Sequence, residues 1–378
     1  MTMASTMIVN VRLFDGTALT SSTTVGISDE LITTVGGPPP GNTLEGTVDG
    51  NGGVLLPGLI DAHVHVDDED QLQAFLAHGI TTVLDMANQK PEITRSLREL
   101  PGLPQVFGAG LPASAPGGAH TTKMGFPLGS AVKDGADARR FVAARVRDHA
   151  DFIKIIVEDP RMPGTKALPA DTIAALVQAS HSAGLLTVAH AVTSTAVGLA
   201  AEAGVDVITH APMNRSITPG EAVALAARGA ALVPTLTMLR GTAGIINARS
   251  MFRLLRRLNI APPVHYENAR QSVAVARAAG LAVAAGTDSN SEVGAPWHPR
   301  FGSSLHDELE LLVDAGLSPA EAIAAATATP ARIFGLTDRG AIAPGLRADL
   351  LLIRGDPTAE ISAARTPAGI WIGGQRVL

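Results

Sequence analysis

Residues 57–290 alternate between two apolar patterns. Short, nearly unbroken runs read GLIDAHVHV, ITTVLDM, PQVFGAG, FIKIIVE, LLTVAHA, VDVITHA, ALVPTLT and LAVAAGTDS. Between them lie stretches whose apolar residues recur every three or four positions: QLQAFLAHG, DARRFVAARVRDHA, DTIAALVQASHSAG, TSTAVGLAAEAG, PGEAVALAARG and NARQSVAVARAAG. Continuous hydrophobicity predicts parallel strands covered on both faces. The longer period predicts amphipathic helices, several of which run out in glycine, a common helix terminator. Eight strands alternating with helices is what an α/β fold of the (β/α)8 TIM-barrel type requires, with a doubly wound open sheet as the rival.

The ends of the chain read differently. Residues 7–56 alternate in stretches such as MIVNVRLFDG and TTVGISDELITTVGG, which predict short antiparallel strands; GGPPPG at 36–41 predicts a surface turn. Strand character returns after residue 340 in ADLLLIRGDP and GIWIGGQRVL. We expect residues 1–56 and 340–378 to form one small β-sandwich domain, with the barrel on residues 57–339. Two connections are long: 111–135 after the third strand, and 237–266 after the seventh. The latter carries a basic helix-like piece, ARSMFRLLRRLN, expected to be a solvated lid face.

Composition narrows the chemistry. Hydrophobic residues are 46% and charged residues 17%, enough for a sizeable core. A net charge of −6 gives no electrostatic footprint for nucleic acid or an anionic membrane, and no apolar run has bilayer-spanning length. Cysteine is absent, so disulfides, thiolate metal sites and a cysteine nucleophile are excluded. The N-terminal MTMASTMIVNVRLFDG lacks the basic start and apolar core of a signal peptide, which predicts a cytoplasmic protein.

Candidate ligands stand at strand ends. His63 and His65 alternate at the end of the first run, so a strand would point both rings to one face. His190 ends the fifth run, His210 the sixth and Asp288 the eighth. In a barrel, all these ends open on one mouth. Lys154 lies inside FIKII, where it shares a face with Phe152 and Ile156. Both faces of such a strand are crowded, and a lone ammonium there is costly. A neutral lysine can instead add carbon dioxide, and the resulting carbamate could bridge two metal ions. Zinc suits these donors, as do manganese, cobalt and nickel.

The ordered set DAHVH, FIKI, VAH, ITH, GTDS, with the ending LSPAEAIAAATATPARIFGL…GAIAPGLRADLLLIRGDP, resembles the amidohydrolase superfamily. Within it, the chain is similar to the binuclear branch of prolidases and imidazolonepropionase-related hydrolases. The resemblance spans essentially the whole chain. It implies a distorted barrel, two divalent metal ions and a hydroxide that attacks an amide carbonyl of a small-molecule substrate. It also implies residue roles: His63 and His65 on one metal, Lys154 bridging as carbamate, His190 and His210 on the other, and Asp288 as ligand and proton shuttle. A homo-oligomer is implied as well. Prolidase-like relatives often read AHAHG at the fifth strand; this chain reads AHAVT, with Val192 in place of the second histidine, which removes a substrate contact. A dipeptide or N-acyl amino acid is the expected substrate. The alternatives are a heterocycle deaminase, a hydrolase of cyclic amides, lactones, carbamates or organophosphate esters, and a non-catalytic binding protein.

Further candidates for substrate contact are His120 in the glycine-rich loop after the third strand, His306 at the start of a helix near the eighth, and Arg240, Tyr266 and His298 in lid or mouth segments. Asp61 and Asp85 flank strand ends and are expected to act through hydrogen bonds. His78, His149 and His181 are expected to be structural.

Overall fold

The eight apolar runs all become strands, because each offers two faces with something to bury. In this computed structural model, residues 5–37, 46–98, 100–162, 164–248 and 264–378 are described. Before the runs come β1 (Ser5–Leu13), β2 (Thr23–Ser28), β3 (Leu31–Val35), β4 (Thr47–Asp49) and β5 (Val54–Pro57). The runs themselves give β6 (Leu59–Val64), β7 (Ile80–Asp85), β8 (Gln105–Gly108), β9 (Phe152–Ile156), β10 (Leu186–His190), β11 (Val207–Thr209), β12 (Ala231–Val233) and β13 (Ala282–Val283). The chain ends with β14 (Leu350–Ile353), β15 (Pro367–Ile372) and β16 (Gln375–Arg376).

All pairings among β6–β13 are parallel, in two pieces ordered β6-β7-β8 and β9-β10-β11-β12-β13. The regular ladder stops between the pieces, and isolated contacts span both seams. At one, Ala113 N donates to Lys154 O and Ile156 N donates to Ala113 O, each at 2.8 Å. At the other, Asp288 N donates to His63 O at 2.7 Å and His65 N to Ser289 O at 2.8 Å.

The period-two argument separates the two faces. Phe152 joins an inner cluster with Ile60, Leu84, Val188, Val207 and Ala284. Ile153, Ile155 and Val157 pack outward in the large core with helix residues such as Phe141, Ile173 and Leu176. The six helical stretches read from the sequence are all present. Pro219 opens one behind a capping box of Thr218 and Glu221, which satisfies orphan amides of its first turn. The helix Pro91–Arg98 escaped the periodicity reading because it is short and mostly polar.

The two ends of the chain share one hydrogen-bonded set of strands, ordered β16-β15-β14-β5-β1-β2-β3, with β4 also on β1. Where a sandwich was expected, these strands form one sheet, continuous through β1: residues 7–9 pair with β4, and Arg12 and Leu13 pair with β5. Those two pairings are parallel, against the all-antiparallel expectation. Parallel neighbours need a crossover rather than a hairpin, and β2 and β3 lie within it; the expected turn at 36–41 falls outside the described residues beyond Gly37. Ile8, Val25, Ile27, Leu55, Leu350 and Trp371 form the shared core of this layer.

Two strands are shorter than read. Pro234 cannot donate to a ladder, so β12 ends at Val233, and the helix Leu236–Ala248 starts almost at once. Where a long loop was expected after the seventh strand, residues 237–248 are helix; its basic piece lies outside the described residues beyond Ala248. The eighth run leaves the ladder after Val283, where its backbone turns to meet β6 and the helix Pro319–Ala325 through Ala62 N–Ala285 O and Ala285 N–Ala325 O.

Trp371 is fully buried where the strands from the two ends meet. Trp371→Ala should lose about 3–5 kcal/mol of stability in a denaturant titration, the usual range for emptying a large aromatic site.

Candidate metal centre

One cleft of about 230 Å³ is lined by His63, His65, Lys154, His190, His210 and Asp288 together. Each arrives on or just after its strand: two from β6 and one each from β9, β10, β11 and β13. His65 and Asp288 stand closest, with Nε2 to Oδ1 at 3.2 Å; His63 Nε2 lies 3.4 Å from the same oxygen. Donor atoms of His63, His65 and Asp288 all fall within 4.8 Å of one another. A second pair lies alongside: the rings of His190 and His210 are 4.5 Å apart, and His210 is 4.9 Å from His63.

The backbone is held in uncommon conformations here. His210, Thr235 and Asp288 have φ of 71°, 50° and 60°. Asp and His visit this region several-fold more readily than other non-glycine residues, whereas a β-branched threonine there is an outlier. Thr235 has a clear task, since its hydroxyl lies 2.8 Å from His210 Nδ1 and orients that ring. Gly286, two residues before Asp288, is pressed against β6: a Cβ there would sit 2.9 Å from both His63 N and His63 Cβ.

Asp61 ties the same seam from below. Its carboxylate accepts from His63 N at 3.2 Å, Thr287 N at 3.0 Å and Thr287 Oγ1 at 2.7 Å. Burial pushes its carboxyl up to about 7, against the pull of these hydrogen bonds. Asp85 instead accepts from Thr94 Oγ1 at 2.8 Å, and burial raises it to about 6.

Burial dominates the electrostatics. It holds His63, His190 and His210 well below the ordinary imidazole range, with the Lys154 charge and neighbouring rings adding to the effect. These three rings are therefore neutral lone-pair donors. Burial also works against charge on His65, yet Glu292 and Asp288 outweigh it and raise that ring to about 10. Burial brings Lys154 down to about 7, against Asp288 and Glu292. Its Nζ donates to Thr209 Oγ1 at 2.9 Å, and that hydroxyl passes a bond on to Ala189 O.

This donor set fits divalent metal ions. Neutral imidazoles, a carboxylate and a lysine near neutrality converge, and His63 Nδ1 is a buried nitrogen with no hydrogen-bond partner. His65 stands between the carboxylates of Asp288 and Glu292, and two anionic groups this close suit a cation.

A model of the amidohydrolase family matches residues 54–377. The chain belongs to the amidohydrolase family. An uncharacterized protein of Mycobacterium tuberculosis is 29% identical over 326 residues, covering 81% of this amidohydrolase and 80% of the relative. An adenine deaminase of Bacillus licheniformis is 25% identical over 368 residues, covering 93% of this chain and 55% of the deaminase. Among solved structures, a Xaa-Pro dipeptidase with bound methionine superposes with a TM-score of 0.83 at 23% identity, over 99% of each chain. Prolidase-like amidohydrolases thus share the fold.

The remaining sequence candidates divide. His120 lines the cleft, its ring 5.8 Å from that of His190, and burial lowers it to about 4. His306 does not reach the cleft: it is buried in the helix Ser303–Asp314 with Nε2 2.9 Å from His78 O. The expected substrate contact is not made, because the helix turns His306 to a buried place beside the His78 ring, 6.0 Å away. Arg240 lines a separate groove with Trp297, Asp307 and Glu310, because the early helix after Pro234 turns it away. Tyr266 starts the helix Tyr266–Ala278 outside the described cleft lining; burial, with Glu308 nearby, raises its hydroxyl. His298 braces the mouth through Nδ1 to Asn290 Oδ1 at 2.9 Å.

Sequence reasoning passed over Glu158 and Glu292, which both line the cleft. Glu292 Oε1 lies 3.2 Å from His65 Nδ1, beside the 3.0 Å contact of that nitrogen with Ala87 O. Glu158 continues the period-two face of Lys154 and Ile156, a signal that was available. Glu292 lies in a loop, where no periodicity announces it.

Asp61→Asn places an amide NH2 against a donor. We expect a loss of about 1–3 kcal/mol in urea unfolding, and metal affinity about 10–100-fold weaker by competitive chelator titration.

Proposed function

We propose that this amidohydrolase is a metal-dependent hydrolase of amide C–N bonds, acting on a dipeptide or N-acyl amino acid. The two parallel strand pieces are read as arcs of one (β/α)8 barrel on residues 57–339, with residues 1–56 and 340–378 as the appended β domain. The observation that carries the proposal is the convergence of six donor side chains, from five strands, on one cleft.

His63 and His65 would hold one ion, and His190 and His210 a second. Lys154, as its carbamate, would lie between them, and Asp288 would complete the first site. Zinc matches this nitrogen-and-oxygen set. When bound, the ions would acidify a water and polarise the substrate carbonyl. Asp288 Oδ1, already within 3.4 Å of both β6 histidines, would take the proton of the attacking water and return it to the leaving amine. Thr209 positions the Lys154 nitrogen, and its near-neutral amine leaves a substantial fraction free to react with carbon dioxide. His120 and the apolar wall of Met124, Phe126 and Met238 would hold the substrate and limit water.

A heterocycle deaminase is the second reading, favoured by the adenine deaminase relative. The near-neutral Lys154 in the cleft favours the first, because a single-ion deaminase leaves it without a task.

A panel of dipeptides, N-acyl amino acids, cyclic amides, esters and purines separates the readings. Amide cleavage with two metal equivalents supports the first, and ammonia release with one equivalent supports the second. Lys154→Ala should lose the paired metal content, measured by elemental analysis, and lower turnover by at least about a hundredfold. Full metal content and turnover in that variant would contradict the assignment.

A further inference from the structure

Three carboxylates line the cleft: Glu158, Asp288 and Glu292. Two have partners, since Asp288 faces His63 and His65, and Glu292 faces His65. Glu158 has no hydrogen bond or ion pair among the described residues. The nearest arginine in sequence is not available to it. Arg161 is committed to Asp159 through its backbone N, Nε and Nη2 at 2.9, 3.1 and 3.0 Å, and Thr193 Oγ1 adds a contact at 3.3 Å. Burial, with Asp159 beside it, pushes the Glu158 carboxyl up. Glu158 is half-buried, and a carboxylate partly withdrawn from water without a protein partner gains when a cation meets it.

Its position says where that cation would lie. Lys154, Ile156 and Glu158 all line the cleft, as alternate residues of one extended segment should. Ile156 pairs with His190, so Glu158 stands two residues beyond the level of that ligand, roughly 7 Å along the backbone and within reach of a lysine-length side chain. Ile156, between Lys154 and Glu158 on this segment, is apolar, and Met124 and Phe126 line the same cleft. An acid at the rim beyond an apolar wall suits a ligand with an aliphatic stem and a cationic tip.

We propose that Glu158 is a specificity-determining residue that selects amides of basic amino acids, pairing with the ammonium or guanidinium of a lysine- or arginine-length side chain. This rests on the amide-hydrolase reading for its chemistry, and on the unpaired carboxylate alone for its selectivity. It favours basic substrates over the neutral dipeptides that the fold also admits.

The test uses the metal-loaded full chain and matched amides that differ only in charge. N-acetyl-lysine and lysyl-alanine are compared with N-acetyl-norleucine and norleucyl-alanine. The native chain should favour the better lysyl member by roughly tenfold or more in kcat/KM, as expected for one charge-assisted pair. Glu158→Gln should bring that ratio close to one, and Glu158→Lys should shift preference toward the glutamyl counterpart. Equal use of lysyl and norleucyl amides by the native chain, or a preference that survives Glu158→Gln, overturns the proposal. If no amide is cleaved, the amide-hydrolase reading fails, and the same ratios are taken from dissociation constants by calorimetry with the uncleaved compounds. A lysyl preference lost in Glu158→Gln then still supports the role of Glu158, and no preference removes it.

Discussion

The carboxylate of Asp61 holds the seam on which the centre depends. It collects the backbone amides of His63 and Thr287 and the hydroxyl of Thr287. Those bonds fix β6 against the segment that follows β13, although the regular ladder does not reach across. His63 and His65 belong to one side of that seam and Asp288 to the other. Their mutual distances are therefore set by a few hydrogen bonds rather than by a long register. Gly286 allows the approach, because any side chain there would collide with His63.

The rest of the centre is built by a different means. Lys154, His190 and His210 sit on adjacent parallel strands, where Val188 pairs with Lys154 and His190 with both Ile156 and Thr209. Register fixes their offsets: His190 stands two residues beyond Lys154 and His210 one beyond His190, and the longer lysine side chain still lines the same cleft. Thr209 and Thr235 then fix directions, one for the lysine nitrogen and one for the His210 ring. The carboxylate of Glu308 receives the amides of Leu236 and Thr237 and so anchors the helix that follows Thr235. The strained φ of Thr235 persists because its neighbours are held on both sides.

Alternation and run length made much of this visible beforehand. The eight strands, the common face of His63 and His65, and the inward face of Lys154 follow from period two and from apolar runs without gaps. What stayed hidden depended on partners distant in sequence. The turn after Pro234 carries Arg240 into another groove, and the helix anchored by Glu308 could not be inferred from residues 237–266 alone. His306 reads as a polar helix start, but it is buried with its Nε2 on His78 O, a partner far away in sequence. Glu158 was legible in principle, two steps beyond Lys154. It was passed over because the apolar run had ended by then.

The layer shared by the two ends of the chain has a consequence for biosynthesis. Leu55 pairs with Leu352, and Val54 with Ile353, so β5 waits for a partner made far later in the chain. Until then its apolar residues and one row of amides and carbonyls stay open to any strand that passes, including the same strand of a neighbouring nascent chain. Contacts this far apart along the chain slow folding. Crowded ribosomes and high expression temperature should therefore favour inclusion bodies, and slower translation or a chaperone that shields an open edge should favour the native protein.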